Sequence, residues 1–132
     1  MLREQDEYLR RHRWAVLSTI RGGGSPQVSM VAYDFDGDDL VVSCRRATAK
    51  FANAARDPRV VVTIVDGRSY LAVAGTAEVV TEGMRLLDLT ARLRASLEPD
   101  DAAALQRDID NGLEQVGRAI LRIMPDRVVG RI

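Results

Sequence analysis

One nine-residue segment combines residue types that bind phosphate: Ser43-Cys44-Arg45-Arg46-Ala47-Thr48-Ala49-Lys50-Phe51. A strand pattern ends in it, two arginines follow, and a helix pattern begins at the hydroxyl of Thr48, a favourable N-cap residue. The free N–H groups and the dipole of a helix N-terminus both attract an anion. Lys50, in the first helical turn, adds a point charge within reach of the same anion. The segment predicts a phosphate site, although an ordinary capped helix with a solvated lysine has the same residues.

The sequence lacks the residues that other kinds of catalytic site require. There is no Gly-x-Gly-x-x-Gly after a strand and no Walker A loop. The single histidine, His12, lies in a charged helix pattern, and the single cysteine, Cys44, lies in a strand pattern. We therefore expect no metal site and no disulfide, an ordinary surface role for His12, and a small buried hydrophobe at Cys44. If the chain is an enzyme, a bound cofactor does the difficult chemistry. Tyr33 and Tyr70 are candidate proton donors, although packing roles suit both.

Composition and charge narrow the class of protein further. The 132 residues suit one domain, 1–132, and 46% of them are hydrophobic, which is enough for one core. Nineteen basic residues balance nineteen acidic ones, so the chain has no cationic excess for nucleic acid or for an anionic membrane. It has no apolar stretch of signal-peptide or membrane-spanning type. We expect a cytoplasmic protein whose ligand is a small molecule.

The elements that would position the phosphate segment follow from periodicity and turn signals. A helix is predicted over 3–12 and another over 48–56. Asp36-Gly37 and Asp66-Gly67 are hairpin signals between strand patterns. The strands are predicted over 14–21, 27–35, 39–44, 59–66 and 69–80.

After residue 80 the hydrophobic period becomes helical. Apolar residues recur at helical spacing in two runs, and Pro99 separates the two helices. The runs are Leu86, Leu89, Leu93 and Leu97, then Leu105, Ile109, Leu113 and Val116. A last strand is predicted over 118–124, with a tail that extends to 129. Short antiparallel strands joined by tight turns are typical of a barrel. The predicted fold is α+β, a split barrel of about six antiparallel strands with flanking helices. The residues of segment 82–116 suggest no catalytic role for it.

Several stretches resemble the pyridoxamine 5′-phosphate oxidase-like, flavin-binding split-barrel proteins. Within that superfamily the chain is similar to a small actinobacterial group of probable enzymes that depend on coenzyme F420, a deazaflavin. The most specific part is Lys50, then Asn53, then Arg56-Asp57-Pro58-Arg59. The resemblance extends to about residue 80 and includes the closing strand more weakly. The matching stretches are 15–20, 25–29, 36–40, 48–60, 66–70 and 75–79.

The resemblance implies a homodimer with its cofactor at the subunit interface. It places Lys50 on the cofactor phosphate, with Arg45 or Arg46 in support, because Thr48 stands where many members have Arg or Ser. It also implies Arg68 at a position that is often aromatic, which weakens the expectation of ring stacking there. The implied cofactor-binding residues are Ser29, Val31, Ser43, Cys44, Arg45, Thr48, Ala49, Lys50, Arg68 and Tyr70, the last two from the second subunit.

Several functions remain open at this stage. The first is an oxidoreductase in which reduced F420 passes a hydride to a small, flat, electron-poor organic substrate. An FMN-dependent oxidoreductase is the alternative, and Arg45, Arg46 and Arg68 suit the anionic tail of either cofactor. A non-catalytic flavin-binding or F420-binding protein, or a dimeric scaffold without a cofactor, is a possibility of another class. The resemblance favours F420 and leaves the substrate unnamed.

Overall fold

A computed structural model describes residues 1–132, and its elements correspond closely to those predicted. They are α1 (Arg3–Arg11), β1 (Trp14–Ile20), β2 (Pro26–Ala32), β3 (Asp34–Phe35), β4 (Leu40–Arg45), α2 (Ala49–Arg56), β5 (Arg59–Asp66), β6 (Ser69–Val80), α3 (Gly83–Ser96), α4 (Pro99–Asn111) and β7 (Arg118–Arg131). The predicted strand 27–35 is divided into β2 and β3, and β7 extends beyond its predicted tail. No helix is both long and apolar enough to span a bilayer.

The seven strands form one antiparallel sheet in the order β2-β1-β5-β6-β7-β4-β3. The sheet curls until β2 approaches β4 across its open side. The result is a split half-barrel, which confirms the predicted α+β class. The strand beyond the predicted six is β3, a two-residue piece that pairs only with β4.

The inside of the curled sheet is filled by alternate residues of the strands. Leu17, Leu40, Val62, Val73 and Leu121 belong to this buried cluster. Helices α1 and α2 add buried side chains to the same cluster and cover it where the sheet does not close. They contribute Tyr8, Leu9 and Ala54.

A second, smaller core lies on the outer side of β4 and β7. Val41 and Ile120 are fully buried there, although their neighbours along each strand face the barrel interior. The apolar stripes of α3 and α4 cover them with Leu86, Leu93 and Leu105, and Leu113, just after α4, joins the same cluster. The two helices therefore pack as a hairpin on the barrel wall, where an amphipathic pair can bury one face.

The outer face of β2, β1, β5 and β6 exposes large apolar side chains. Val28, Met30 and Val65 are each more than 60% exposed, and Trp14 and Tyr70 are more than 40% exposed. The strand registers place all five on one face of the sheet. A contiguous apolar patch of this kind is typical of a surface that a partner covers.

Candidate functional site

A cleft of about 230 Å³ opens where β2 approaches β4 beneath the α3–α4 hairpin. Strands and helices from both halves of the sequence contribute to it. Its lining residues are Trp14, Met30, Val31, Ala32, Ser43, Lys50, Leu93, Leu97, Asp101, Ala104, Leu105 and Arg118. Three of the ten predicted site residues, Val31, Ser43 and Lys50, are therefore brought together.

Lys50 enters the cleft from the first turn of α2. Its side chain is half-buried and forms neither a hydrogen bond nor an ion pair. The first N–H groups of a helix also lack helical carbonyl partners, and Ala49 supplies one of them through its backbone. An unpaired ammonium beside these donors is suited to a phosphate group.

Thr48 does not cap α2 in the predicted way. Its hydroxyl donates to the carbonyl of Arg45 over 2.7 Å and makes no bond to the first helical turn. The expected side-chain cap is therefore wrong, because the hydroxyl closes the turn that leaves β4 instead. The consequence is that the N-terminal N–H groups of α2 keep no side-chain acceptor.

Arg118, at the start of β7, is a cleft residue that the sequence did not single out. It lies opposite Arg45 in the β4–β7 register. Its Nε donates to Oδ2 of Asp108 at 2.8 Å, and its Nη1 lies 3.4 Å from the hydroxyl of Ser43. Apart from its position at the start of a strand, no sequence signal distinguishes Arg118 from the many other arginines of the chain.

Arg45 and Arg46 turn away from the cleft. Arg45 donates to the carbonyl of Val116 at 3.0 Å and to Asp108 at 3.2 Å. Arg46 donates to the carbonyl of Glu114 at 2.8 Å. Both side chains fasten the α4–β7 connection to the end of β4, and neither lines the cleft. Within one chain, the second cation of the cleft is Arg118 rather than either predicted arginine.

Cys44 faces the barrel interior and does not line the cleft. Burial raises the pKa of its thiol to about 11, and the nearby cations Lys50 and Arg118 only partly oppose this effect. The thiol therefore stays protonated at neutral pH and is no nucleophile. The prediction of a small buried hydrophobe is confirmed.

Ser29 lies on a chain of hydrogen bonds that fastens α2 to β1 and β2. Gln27 donates from Nε2 to Ser29 at 2.8 Å and accepts from Thr19 at 2.8 Å. Thr19 in turn accepts from the buried Asn53 of α2 at 3.1 Å. Asn53, three residues after Lys50, thus holds the helix that carries the ammonium.

Arg68 and Tyr70 lie outside the cleft of their own chain. Arg68 is exposed in the β5–β6 turn, and Tyr70 lies on the apolar outer face of the sheet. The resemblance implied that they act from a second subunit, so their role stays a prediction.

Two other candidate residues have structural roles. The hydroxyl of Tyr33 is buried and donates a hydrogen bond to the carbonyl of Leu9 at 2.8 Å. Burial raises the pKa of this hydroxyl above its ordinary value, so Tyr33 is unsuited to give a proton to a substrate. His12 is not the ordinary surface residue that we expected. Its ring contacts the carbonyl of Tyr8 at 2.8 Å and the carboxylate of Asp66 at 2.9 Å, which fastens α1 to the β5–β6 turn.

A curled antiparallel half-barrel with a cleft at its split defines the split-barrel class of proteins. A family model described as pyridoxamine 5′-phosphate oxidase matches residues 1–130. The chain belongs to this family. The resemblance stated from the sequence is thereby confirmed at the level of the family.

Solved structures of similar fold differ in what their names describe. An F420 reductase superposes with a TM-score of 0.71 at 23% identity, with 98% of each chain covered. A conserved hypothetical protein from Mycobacterium tuberculosis gives 0.74 at 21% identity, covering 98% of this chain and 84% of the other. The heme storage protein HutZ from Vibrio cholerae gives 0.74 at 16% identity, covering 97% and 93%. At these identities the likeness concerns the fold, so the ligand must be argued from the cleft.

Proposed function

We propose that this protein is an oxidoreductase that binds a phosphate-bearing flavin-type cofactor in the cleft and transfers a hydride to a small organic substrate. The favoured cofactor is the deazaflavin F420, and the alternative is FMN. The observation that carries the proposal is Lys50, an unpaired cation at a helix N-terminus that lines a mainly apolar cleft. A buried or half-buried cation without a partner is costly, and an anionic ligand removes that cost.

The residues of the cleft fit such a cofactor in chemical type. Lys50 and the N–H groups of α2 suit the phosphate, while the hydroxyl of Ser43 is an additional donor. Trp14 and Met30 present exposed apolar surface suited to a flat ring. The reduced deazaflavin supplies the hydride when bound.

The chain's own residues then bind, orient and shield. Lys50 binds the phosphate, and Asn53 holds α2 in place through Thr19. Arg118, held by Asp108, orients Ser43 at the edge of the cleft. The hairpin forms one wall of the cleft and shields that side of it from water, which strengthens the electrostatic contacts there.

We further propose that the functional unit is a homodimer. One chain offers about 230 Å³, which is below the roughly 300–1,000 Å³ of a complete small-molecule site. The exposed apolar sheet face is suited to a second copy of the chain. Arg68 and Tyr70, outside their own chain's cleft, are then free to complete the partner's site.

Haem storage, the description of HutZ, has less support in this chain. Proteins hold haem iron through His, Cys, Met or Tyr. Within one chain, Met30 is the only one of these that lines the cleft, and the proposed dimer would add the partner subunit's Tyr70. The one histidine is occupied by Tyr8 and Asp66. A flavin-type ligand matches the lining better.

Titration of the purified protein with oxidised and reduced F420 and with FMN, followed by cofactor fluorescence, tests the proposal. We expect saturable binding, tighter for F420, and faster oxidation of reduced F420 when an electron-poor acceptor is added. Tighter binding of FMN would favour the alternative cofactor. Binding without acceptor-dependent oxidation would favour a non-catalytic binding protein, and no binding of either cofactor would overturn the proposal.

A further inference from the structure

The tip of the α3–α4 hairpin, residues 93–105, lines the cleft with side chains that a phosphate site does not need. Leu93 and Leu105 are buried, and Leu97 and Ala104 are half-buried. All four contribute to the cleft wall. The hairpin therefore forms a part of the cleft that differs chemically from the part around Lys50.

This wall is held on both sides of its tip. On α3, Arg92 donates to Asp34 and to Asp39, each at 2.7 Å. On α4, Asp108 accepts from Arg118 of β7 at 2.8 Å. The hairpin is thus fastened to the barrel by ion pairs as well as by its apolar core, so its surface in the cleft has a defined shape.

The charges in the cleft are divided between its two sides. The cations come from α2 and β7, as Lys50 and Arg118, whereas the hairpin contributes only one charged group, Asp101 in the first turn of α4. A phosphate is therefore attracted to the side of α2. Asp101 is exposed to solvent, whereas the rest of the hairpin wall is apolar carbon. This apolar part suits an uncharged molecule, and the nearby carboxylate disfavours an anion there.

We propose that the hairpin tip is the acceptor-binding wall of this protein and that it selects an uncharged organic molecule. The inference rests on the proposed function, because a cofactor phosphate at Lys50 leaves the hairpin side for the acceptor. For a quinone acceptor, the hydride from the reduced cofactor and one proton from water yield the hydroquinone, which balances the reaction.

The chain offers a matched pair of variants and a built-in reporter. Ala104 lines the cleft, whereas Ala103, its neighbour on α4, is exposed and does not. Trp14 is the only tryptophan and lines the same cleft, so its fluorescence reports an occupant. The probe is 1,4-naphthoquinone, an uncharged two-ring acceptor that quenches tryptophan, added to the cofactor-free protein.

We expect saturable quenching in the wild type and in Ala103→Phe, and a Kd for naphthoquinone raised at least about tenfold in Ala104→Phe, because the new ring fills the wall. Circular dichroism checks that each variant is folded. Should Ala104→Phe fail to fold, Leu97→Ala replaces it, and we expect a Kd raised by a factor of several. In both wall variants the Kd of F420, or of FMN if that cofactor binds more tightly, should change less than about threefold.

Equal naphthoquinone affinity in the wild type and the folded wall variant would overturn the inference, as would absence of binding to the wild type. An equal loss of cofactor and naphthoquinone affinity would also overturn it, because the cleft would then not be divided. The quinone titration needs no cofactor. Failure of cofactor binding would therefore refute the proposed function separately. A naphthoquinone Kd that rises in Ala104→Phe but not in Ala103→Phe would still support the hairpin wall.

Discussion

The guanidinium of Arg118 donates from Nε to Oδ2 of Asp108 over 2.8 Å, and both side chains are less than a quarter exposed. Arg45 donates to the same oxygen, so one carboxylate balances two arginines. Lys50, the only lysine of the chain, has no such partner. An anion that enters the cleft therefore gains most from Lys50, whose charge is not already compensated.

Replacing Lys50 with alanine should weaken cofactor binding by about tenfold to a hundredfold, the size of a lost charge-assisted hydrogen bond. Lys50→Arg should recover part of the loss, because a planar fork does not replace a compact ammonium. Cofactor titration at low and high salt measures both effects, and the loss should shrink at high salt as screening weakens the wild type.

Arg107→Ala is the matched control for this experiment. Arg107 is an exposed cation on α4 that neither lines the cleft nor forms an ion pair. Its removal should leave the cofactor Kd unchanged. Equal cofactor affinity of Lys50→Ala and Arg107→Ala at low salt would move the phosphate site elsewhere on the barrel.

Asp108→Asn should tighten binding of a phosphate-bearing cofactor by a factor of several. The substitution removes the charge that balances Arg118 and Arg45, so the cleft becomes more positive. It should also lower the free energy of unfolding by about 1–2 kcal/mol, because two hydrogen bonds lose their charged acceptor. Asp110→Asn, an exposed carboxylate on the same helix, should change neither quantity. Weaker cofactor binding by Asp108→Asn would show that Asp108 serves mainly to position the side chain of Arg118, and that compensation of its charge matters less.

Arg92→Leu should lower the free energy of unfolding by about 2–3 kcal/mol, because a buried carboxylate loses a charged partner. Asp39 is the group affected, with its side chain only 7% exposed, and it keeps Arg122 as its remaining partner. Urea unfolding measures the effect. Arg107→Leu should change stability by less than about 0.5 kcal/mol, as is usual for an exposed site. A similar small change in Arg92→Leu would mean that the apolar core alone holds the hairpin.

The buried thiol of Cys44 should make the protein less stable at alkaline pH. Its pKa is raised from about 9 to about 11 on folding, so between these values the unfolded chain has lost the proton and the folded chain retains it. Stability then falls as pH rises from about 9 to about 11, by up to roughly 2–3 kcal/mol. Below about pH 8 the thiol is protonated in both the folded and the unfolded state, so it contributes nothing to the pH dependence of stability there.

Urea unfolding at pH 8, 9.5 and 10.5 in the wild type and in Cys44→Ala isolates this effect. Tyr33, whose pKa is also raised by burial, contributes to both proteins and cancels in the difference. The wild type should lose more stability than the variant over this range. Parallel pH profiles would show that the thiol is hydrated in the folded protein.

Val28→Glu should shift the protein from dimer to monomer. Val28 is 61% exposed on the apolar sheet face, and burying a carboxylate there against a partner costs the hydration of its charge. Light scattering at micromolar concentration measures the mass. Met84→Glu, an equally exposed apolar position on α3, should leave the mass unchanged. A monomeric wild type with an intact fold would contradict the dimer.

Local sequence patterns were sufficient to predict most of the elements. Three patterns depend on only a few neighbouring residues: the strand alternation, the apolar spacing of segment 82–116 and the Asp-Gly turns. They can therefore be recognised without knowledge of the fold. The same locality explains the errors at Thr48 and His12. Each side chain binds a partner that the local pattern did not indicate. Thr48 donates to the carbonyl of Arg45, and His12 contacts the carboxylate of Asp66.

The sequence by itself determined the strand and helix order, the burial of Cys44 and the place of Lys50 at the start of α2. Only the tertiary structure decided which groups share a cleft. Curling of the sheet brings β2 towards β4, and packing of the hairpin brings Leu97 and Ala104 to the same cleft as Lys50. The sequence also left the orientation of the arginine side chains open, because these long side chains bind acceptors that are distant in the sequence. Asp108 and the carbonyls before β7 draw Arg45 and Arg46 away and leave Lys50 unpaired.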